Sequence, residues 1–298
     1  MRSFNQYFHF CLSSALFSVC PLVFAAGYYG DGPYIDADIN IRYEDNLSRT
    51  SKGSEVEEDM VTALSAGGGY VKKLDDKSQL MFSAYLAHEH FAEFTDLNNV
   101  AVNTSMIYTI QPNKGYTQPW YEISLNLTKL KFNKSNIRDS FILNTQASAG
   151  KRFTDRLTAR LAYSYERRYS DGDVFDTENH ELDSGIIYSY SPRIALFANY
   201  RLSLGEVVST ARPNPIIIAA SESVAPDDVF TSGTGPGCAN RRCAYRIDAL
   251  SHHFEVGMEF NLSQTVSLDL SGRYFIVDGN GIESYKGWIY GAGLYIQF

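Results

Sequence analysis

No stretch of the 298 residues approaches the roughly 20 consecutive apolar residues of a membrane-spanning helix, which excludes a helical membrane protein. Basic residues are the minority: 26 Lys and Arg stand against 34 Asp and Glu, a formal net charge of −8. That balance argues against dedicated uptake of polyanions, and with no basic patch interleaved with aromatics it leaves no surface for nucleic acid. A glycine-rich phosphate cradle and a nucleophile elbow are both missing, so no cofactor is expected. Cysteine is sparse, four in all. What the chain does have is aromatic weight, 21 Tyr and 18 Phe, and a regular alternation of apolar and polar positions.

The N-terminus reads as an export address. Arg2 is the sole charge before Ala25, an apolar stretch runs from Leu12 to Phe24, and Val23-Phe24-Ala25 offers a signal-peptidase site. Residues 1–25 are therefore expected to be a removed secretory signal, with 26–298 forming a single domain. Lipidation at Cys20 is not expected, because Val19 and Pro21 flank it where a small residue should precede.

Alternation with period 2 recurs along the whole mature chain. Ile35, Ala37, Ile39, Ile41 and Tyr43 share one face of the first segment, with Asp36, Asp38, Asn40 and Arg42 on the other. Similar segments follow, including Leu157, Ala159, Leu161, Tyr163 and Tyr165, and later Phe254, Val256, Met258, Phe260 and Leu262. Twelve strands result, each long enough to cross a bilayer when tilted. A secreted β-sandwich also favours tyrosine and alternation, but it has no reason to alternate its connections. Here short turns, such as Asp75-Asp76-Lys77 and Ser191-Pro192, alternate with longer polar loops such as Asp45 to Glu58. The expected fold is all-β: a transmembrane antiparallel barrel with periplasmic turns, extracellular loops and both ends periplasmic.

The last eleven residues place Trp288, Tyr290, Ala292, Leu294, Ile296 and Phe298 on one face. That ending resembles the terminal strand of Gram-negative outer-membrane proteins, whose final aromatic residue is read by the assembly machinery. The segment Tyr43-Glu44-Asp45-Asn46-Leu47-Ser48-Arg49-Thr50 resembles a motif near the start of Gram-negative β-barrel porins. Those likenesses imply an outer-membrane location reached through the periplasm, with Phe298 as the assembly signal. They also imply periplasmic chaperones and the barrel assembly machinery as partners, beside lipid and lipopolysaccharide. A channel or a surface-polysaccharide accessory would fit them.

Twelve tilted strands close at a backbone radius of roughly 12 Å, wide enough for a lumen. The face away from lipid carries Asp38, Arg42, Glu122, Arg160, Arg168, Asp183, Arg201, Glu255, Asp269 and Arg273. A dry core would not tolerate so many ionisable groups, so the interior should be wet. These charges can select small solutes, or they can brace the wall as interstrand ion pairs; both can hold at once.

The long connection from Glu206 to Ala244 holds Pro213, Pro215, the run Ile216-Ile217-Ile218, and Cys238 with Cys243. Its apolar run needs cover, so the loop is expected to fold over or into the mouth. Export through an oxidising compartment favours a Cys238–Cys243 disulfide, whereas two thiols alone make a poor metal site. His88, His90, His180, His252 and His253 are the candidates for a hydrolase at the outer rim, yet no catalytic set and no metal set converges in the sequence. A passive or weakly selective channel is the leading expectation; a rim hydrolase and a non-conducting structural barrel are the alternatives.

Overall fold

In a computed structural model, residues 31–230, 237–238, 241–279, 281 and 283–298 are described. The expected signal segment lies outside them. The strands are β1 (Gly32–Glu44), β2 (Asp59–Lys73), β3 (Ser78–Phe91), β4 (Asn99–Ile110), β5 (Trp120–Phe132), β6 (Ser140–Arg152), β7 (Leu157–Ser170), β8 (Thr177–Ser191) and β9 (Ile194–Ala211). A short helix α1 (Pro215–Ala220) and strand β10 (Ser223–Pro226) follow, then β11 (Cys243–Asn261), β12 (Val266–Gly279) and β13 (Glu283–Gln297).

Each strand pairs antiparallel with its sequence neighbour, β1 pairs with β13, and β9 pairs with β11 across the long connection. The ring therefore closes on twelve strands, which removes every free edge at the level of the membrane. Strand β10 is an addition that the sequence pattern did not show. It pairs with Cys243 to Arg246 of β11, beyond the point where β12 stops accompanying that strand.

The outward face carries the apolar side chains that alternation assigned to it: Ile35, Ile123, Leu161, Ile186 and Val256 are all more than half exposed. In water such a belt would be a liability, and against acyl chains it is a solvated surface. Both ends of the ring, Gly32 and Gln297, lie at the rim of short turns, and the Phe298 amide donates to the Ile35 carbonyl at 2.9 Å.

The dry core sits at the outer mouth, not mid-barrel. Val61, Phe91, Leu130 and Phe132 point inward from the outer ends of β2, β3 and β5, and Phe230 of the long loop packs onto them. A second, smaller apolar cluster, Tyr34 with Val71 and Met81, lies near the periplasmic end. Between the two, the lumen is polar.

The long connection is shorter and more ordered than the span Glu206 to Ala244 suggested. Strand β9 runs on to Ala211 and β11 begins at Cys243, so the two rise together above the ring as a flap. Gly205 makes the departure possible: its φ is +149°, and a Cβ there would lie 2.1 Å from the Glu178 carbonyl oxygen, so only glycine fits where β9 leaves β8. Within the connection Asn214 caps α1 by accepting from the Ile216 amide, and Pro215 occupies its first turn. Ile217 of the Ile216-Ile217-Ile218 run is buried against Tyr245 and Ile247, while Ile216 and Ile218 stay exposed. Cys238 and Cys243 are joined by a disulfide.

Candidate functional site

All ten lumen residues singled out from alternation lie on the inward face, and β-sheet register arranges most of them in two rows. One row runs Glu122–Ser148–Ala162–Asp183–Arg201–His253 across β5, β6, β7, β8, β9 and β11. The next runs Gly150–Arg160–Gly185–Asn199–Glu255–Arg273 from β6 to β12. Because opposite charges fall on neighbouring strands, they pair. Arg201 Nε donates to Asp183 at 2.6 Å and its Nη1 stands 3.7 Å from Glu181. Arg273 donates to Glu255 at 2.9 Å, and Asn199 donates to the other Glu255 oxygen at 3.0 Å. Arg160 lies 3.5 Å from Glu122 and donates to Gln146 and Ser148.

Arg42 sits higher on β1, where it donates to Glu44 at 2.8 Å and to Glu89 at 2.7 Å. Glu44 in turn accepts from Arg49 of the first extracellular loop, tying that loop to the wall. Arg168 has a different setting: it donates to a backbone oxygen, the Arg138 carbonyl, at 3.0 Å. Asp38 accepts from Ser65, and Asp269 faces Glu259 directly across the β11–β12 pair.

Near the periplasmic end, four acids stand apart from the ion pairs. Asp36, Asp38, Glu259 and Asp269 lie within a few residues of the periplasmic strand ends, and none has a base within 4 Å among the described residues. Two tyrosine hydroxyls, Tyr85 and Tyr295, donate to Asp36 at 3.0 Å each. Arg160 lies at a similar depth, three residues into β7, whereas Arg42, Arg168, Arg201 and Arg273 lie higher; Arg42, Arg160, Arg201 and Arg273 are each held by at least one carboxylate.

The roof of the lumen is built from loops, and here alternation gave no signal. Arg138, from the 3₁₀ turn Asn136–Arg138 between β5 and β6, is 5% exposed and donates to Asp227 at 2.8 Å and Asp228 at 2.9 Å of the long connection. Asp227 also accepts from Thr210 and from the Val229 amide, and the Arg138 guanidinium stacks over Phe175 at 4.2 Å. Burial alone would raise the Asp227 carboxyl; the Arg138 charge and these hydrogen bonds instead hold it below its ordinary value of 3.8. The first loop joins in, as the Thr210 amide donates to the Ser48 carbonyl at 2.9 Å. Beneath this cap is a cavity of about 200 Å³ whose wall includes Arg42, Arg168, Glu181, His253, Phe175 and Phe230.

The histidines do not converge. His88 and His180 are on the lipid side, where His88 Nδ1 meets the Asn99 carbonyl at 2.8 Å and His180 Nδ1 meets the Tyr163 hydroxyl at 2.7 Å. His252 meets Tyr200 at 2.9 Å, and His90 meets Asn98 at 3.1 Å, whereas His253 lines the cavity. Among the described residues no group of three or more His, Cys, Asp or Glu is arranged to hold a metal ion.

No protein-family model matches the chain, and no curated protein matches it. Among solved structures it is similar to an outer-membrane channel from Pseudomonas putida F1, with a TM-score of 0.60 and 11% identity over 91% of this chain and 97% of that one. Looser likenesses include the NanC porin (TM-score 0.45, 12% identity, 88% and 98% covered). Another is the translocator domain of the autotransporter NalP from Neisseria meningitidis (0.39, 11%, 91% and 90%). The first likeness shows the fold, an outer-membrane β-barrel, and the apolar belt gives this chain the lipid-facing wall that fold requires.

Proposed function

We propose that the barrel is a channel for small solutes, with passage controlled by the cap at its outer mouth. The observation that carries this reading is the polar middle of the lumen: two rows rich in charged and amide side chains line it, and apolar packing among the described residues is concentrated at the mouth and near the periplasmic end. A barrel whose purpose was only to stand in the membrane could fill that middle with apolar side chains at lower cost than buried ion pairs. The pairs brace the wall and still present a field to permeating ions.

Single-channel recording of the mature chain in a planar bilayer tests it. Discrete steps of reproducible size are expected, becoming larger when residues 212–242 are shortened to a turn between β9 and β11. Loss of ion selectivity on neutralising Arg160 and Arg201 would assign the lumen charges to permeation. Silence from a folded barrel, persisting after that deletion, removes the channel reading.

The packing of Phe230 onto Phe91, Leu130 and Phe132 favours a second reading, a barrel held closed whose work is at the surface. In that reading the deletion variant alone conducts. In either reading the exposed ring of Phe298 at the periplasmic rim supports its role as the assembly signal, with lipopolysaccharide covering the outer belt.

A further inference from the structure

Arg42, Arg138, Arg160, Arg201 and Arg273 each have a carboxylate within 4 Å. Arg168 has none among the described residues, although it is only 7% exposed. One of its terminal nitrogens donates to the Arg138 carbonyl at 3.0 Å, and its Nε makes no hydrogen bond. The charges acting on it are Glu166 two residues earlier on the same face, Asp176 from the loop after β7, and Arg138, which repels it. A buried guanidinium left with one neutral acceptor is short of partners, since it presents five donors in a rigid fork. The side chain lines the cavity under the cap, and Phe91, Phe175, Phe230 and Phe275 line the same cavity.

We propose that this chamber binds one small organic monocarboxylate with an apolar body, its carboxylate on Arg168 and its body against the phenylalanine rings. A planar carboxylate matches the guanidinium fork two bonds at a time. Single charge follows from the rest of the wall: Glu44, Glu166, Glu181 and Glu206 also face the chamber, and its other arginines, Arg42, Arg49 and Arg138, are already held by carboxylates, so Arg168 alone is left to offset the charge of a ligand. The inference goes beyond the channel reading and does not depend on conduction.

The test is calorimetric titration of the full mature chain, folded in detergent micelles, with benzoate and with its neutral counterpart benzyl alcohol. Partition into micelles is common to all proteins tested and cancels between them. Benzoate is expected to bind one per barrel, at least tenfold more tightly than benzyl alcohol. Arg168→Gln is expected to weaken benzoate at least tenfold, and Arg168→Lys, which keeps the charge and loses the fork, by less. No saturable benzoate binding, or equal affinity for the two probes on the unmodified chain, overturns the proposal without reliance on any variant. Equal benzoate affinity in a folded Arg168→Gln protein overturns it as well. Saturable binding by a barrel silent in bilayers both before and after the cap is shortened would remove the channel reading alone, and a conducting barrel indifferent to benzoate would remove this inference alone.

Discussion

Asp183 on β8 and Arg201 on β9 stand opposite each other in register, joined by a 2.6 Å hydrogen bond from Arg201 Nε. Arg201 is 8% exposed and also serves Glu181. Removing the arginine alone strands two carboxylates, and losses of about 3–5 kcal/mol are typical when one partner of a buried pair goes, less where water reaches the site. Arg201→Met should therefore lower the denaturant midpoint of the folded barrel. The triple change with Asp183→Asn and Glu181→Gln should recover part of that loss. Additive losses across the set would show that the groups are uncoupled and that the pairing does not brace the wall.

Acid should open the cap. The Asp227 carboxyl is held below its ordinary value in the folded protein, so its contribution is fully present above pH 3.8 and is lost as pH falls through the lower folded value. The Arg138–Asp227 latch is thus expected to be closed at neutral pH and to release only below pH 3.8. Asp227→Asn should loosen it at neutral pH, leaving the more exposed Asp228 as the carboxylate that holds Arg138. Limited proteolysis within residues 212–242 reads this directly: fast cleavage of the variant at pH 7, with the ring strands intact, is the expected result. Equal cleavage rates in both proteins would show that the cap is held elsewhere.

The wall of this protein was legible in its sequence because a strand has period 2 and lipid accepts only one face. That rule placed Arg42, Arg160, Arg201 and Arg273 inward without reference to any partner. Pairing across strands needed the register, which two-residue alternation does not carry, so Arg42 with Glu89 was invisible until β1, β2 and β3 were aligned. The cap was less legible still. Arg138, Asp227 and Phe230 sit in connections with no periodicity, and their meeting depends on how far β9 and β11 rise beyond the ring. Proline and turn residues marked the long connection as a loop, and they concealed α1, β10 and the continuation of β9 to Ala211.

Gly150 is a close-approach position. It faces Trp120 across the β5–β6 pair, and a Cβ at Gly150 would lie 2.1 Å from the indole ring. Trp120 is 2% exposed, so its ring has little room to retreat. Gly150→Ala should cost roughly 1–3 kcal/mol through overpacking and shift Trp120 fluorescence, with Trp288 on the lipid side as the unchanged background. Gly272→Ala is the matched control, because a Cβ there meets nothing nearer than 3.6 Å. Similar losses in the two variants would mean that strand propensity, and not the tryptophan contact, sets the cost.

The acids near the periplasmic end set up a conflict between stability and selectivity. Glu259 and Asp269 are direct cross-strand neighbours of like charge, an arrangement that destabilises a sheet by about 0.2–1 kcal/mol. Neither has a base within 4 Å among the described residues, and Glu259 Oε1 makes no hydrogen bond. Replacing both, as Glu259→Gln with Asp269→Asn, should therefore leave the barrel as stable or more so. In a channel, ions must pass these residues, and an acidic stretch favours cations. The double variant should move the reversal potential in a salt gradient toward the anion limit. Arg273→Gln with Glu255→Gln removes a 2.9 Å pair from the row above and leaves the local charge balanced, so its reversal potential should stay near that of the unmodified barrel. A conducting barrel whose selectivity ignores the loss of Glu259 and Asp269 would place the ion path away from β11 and β12.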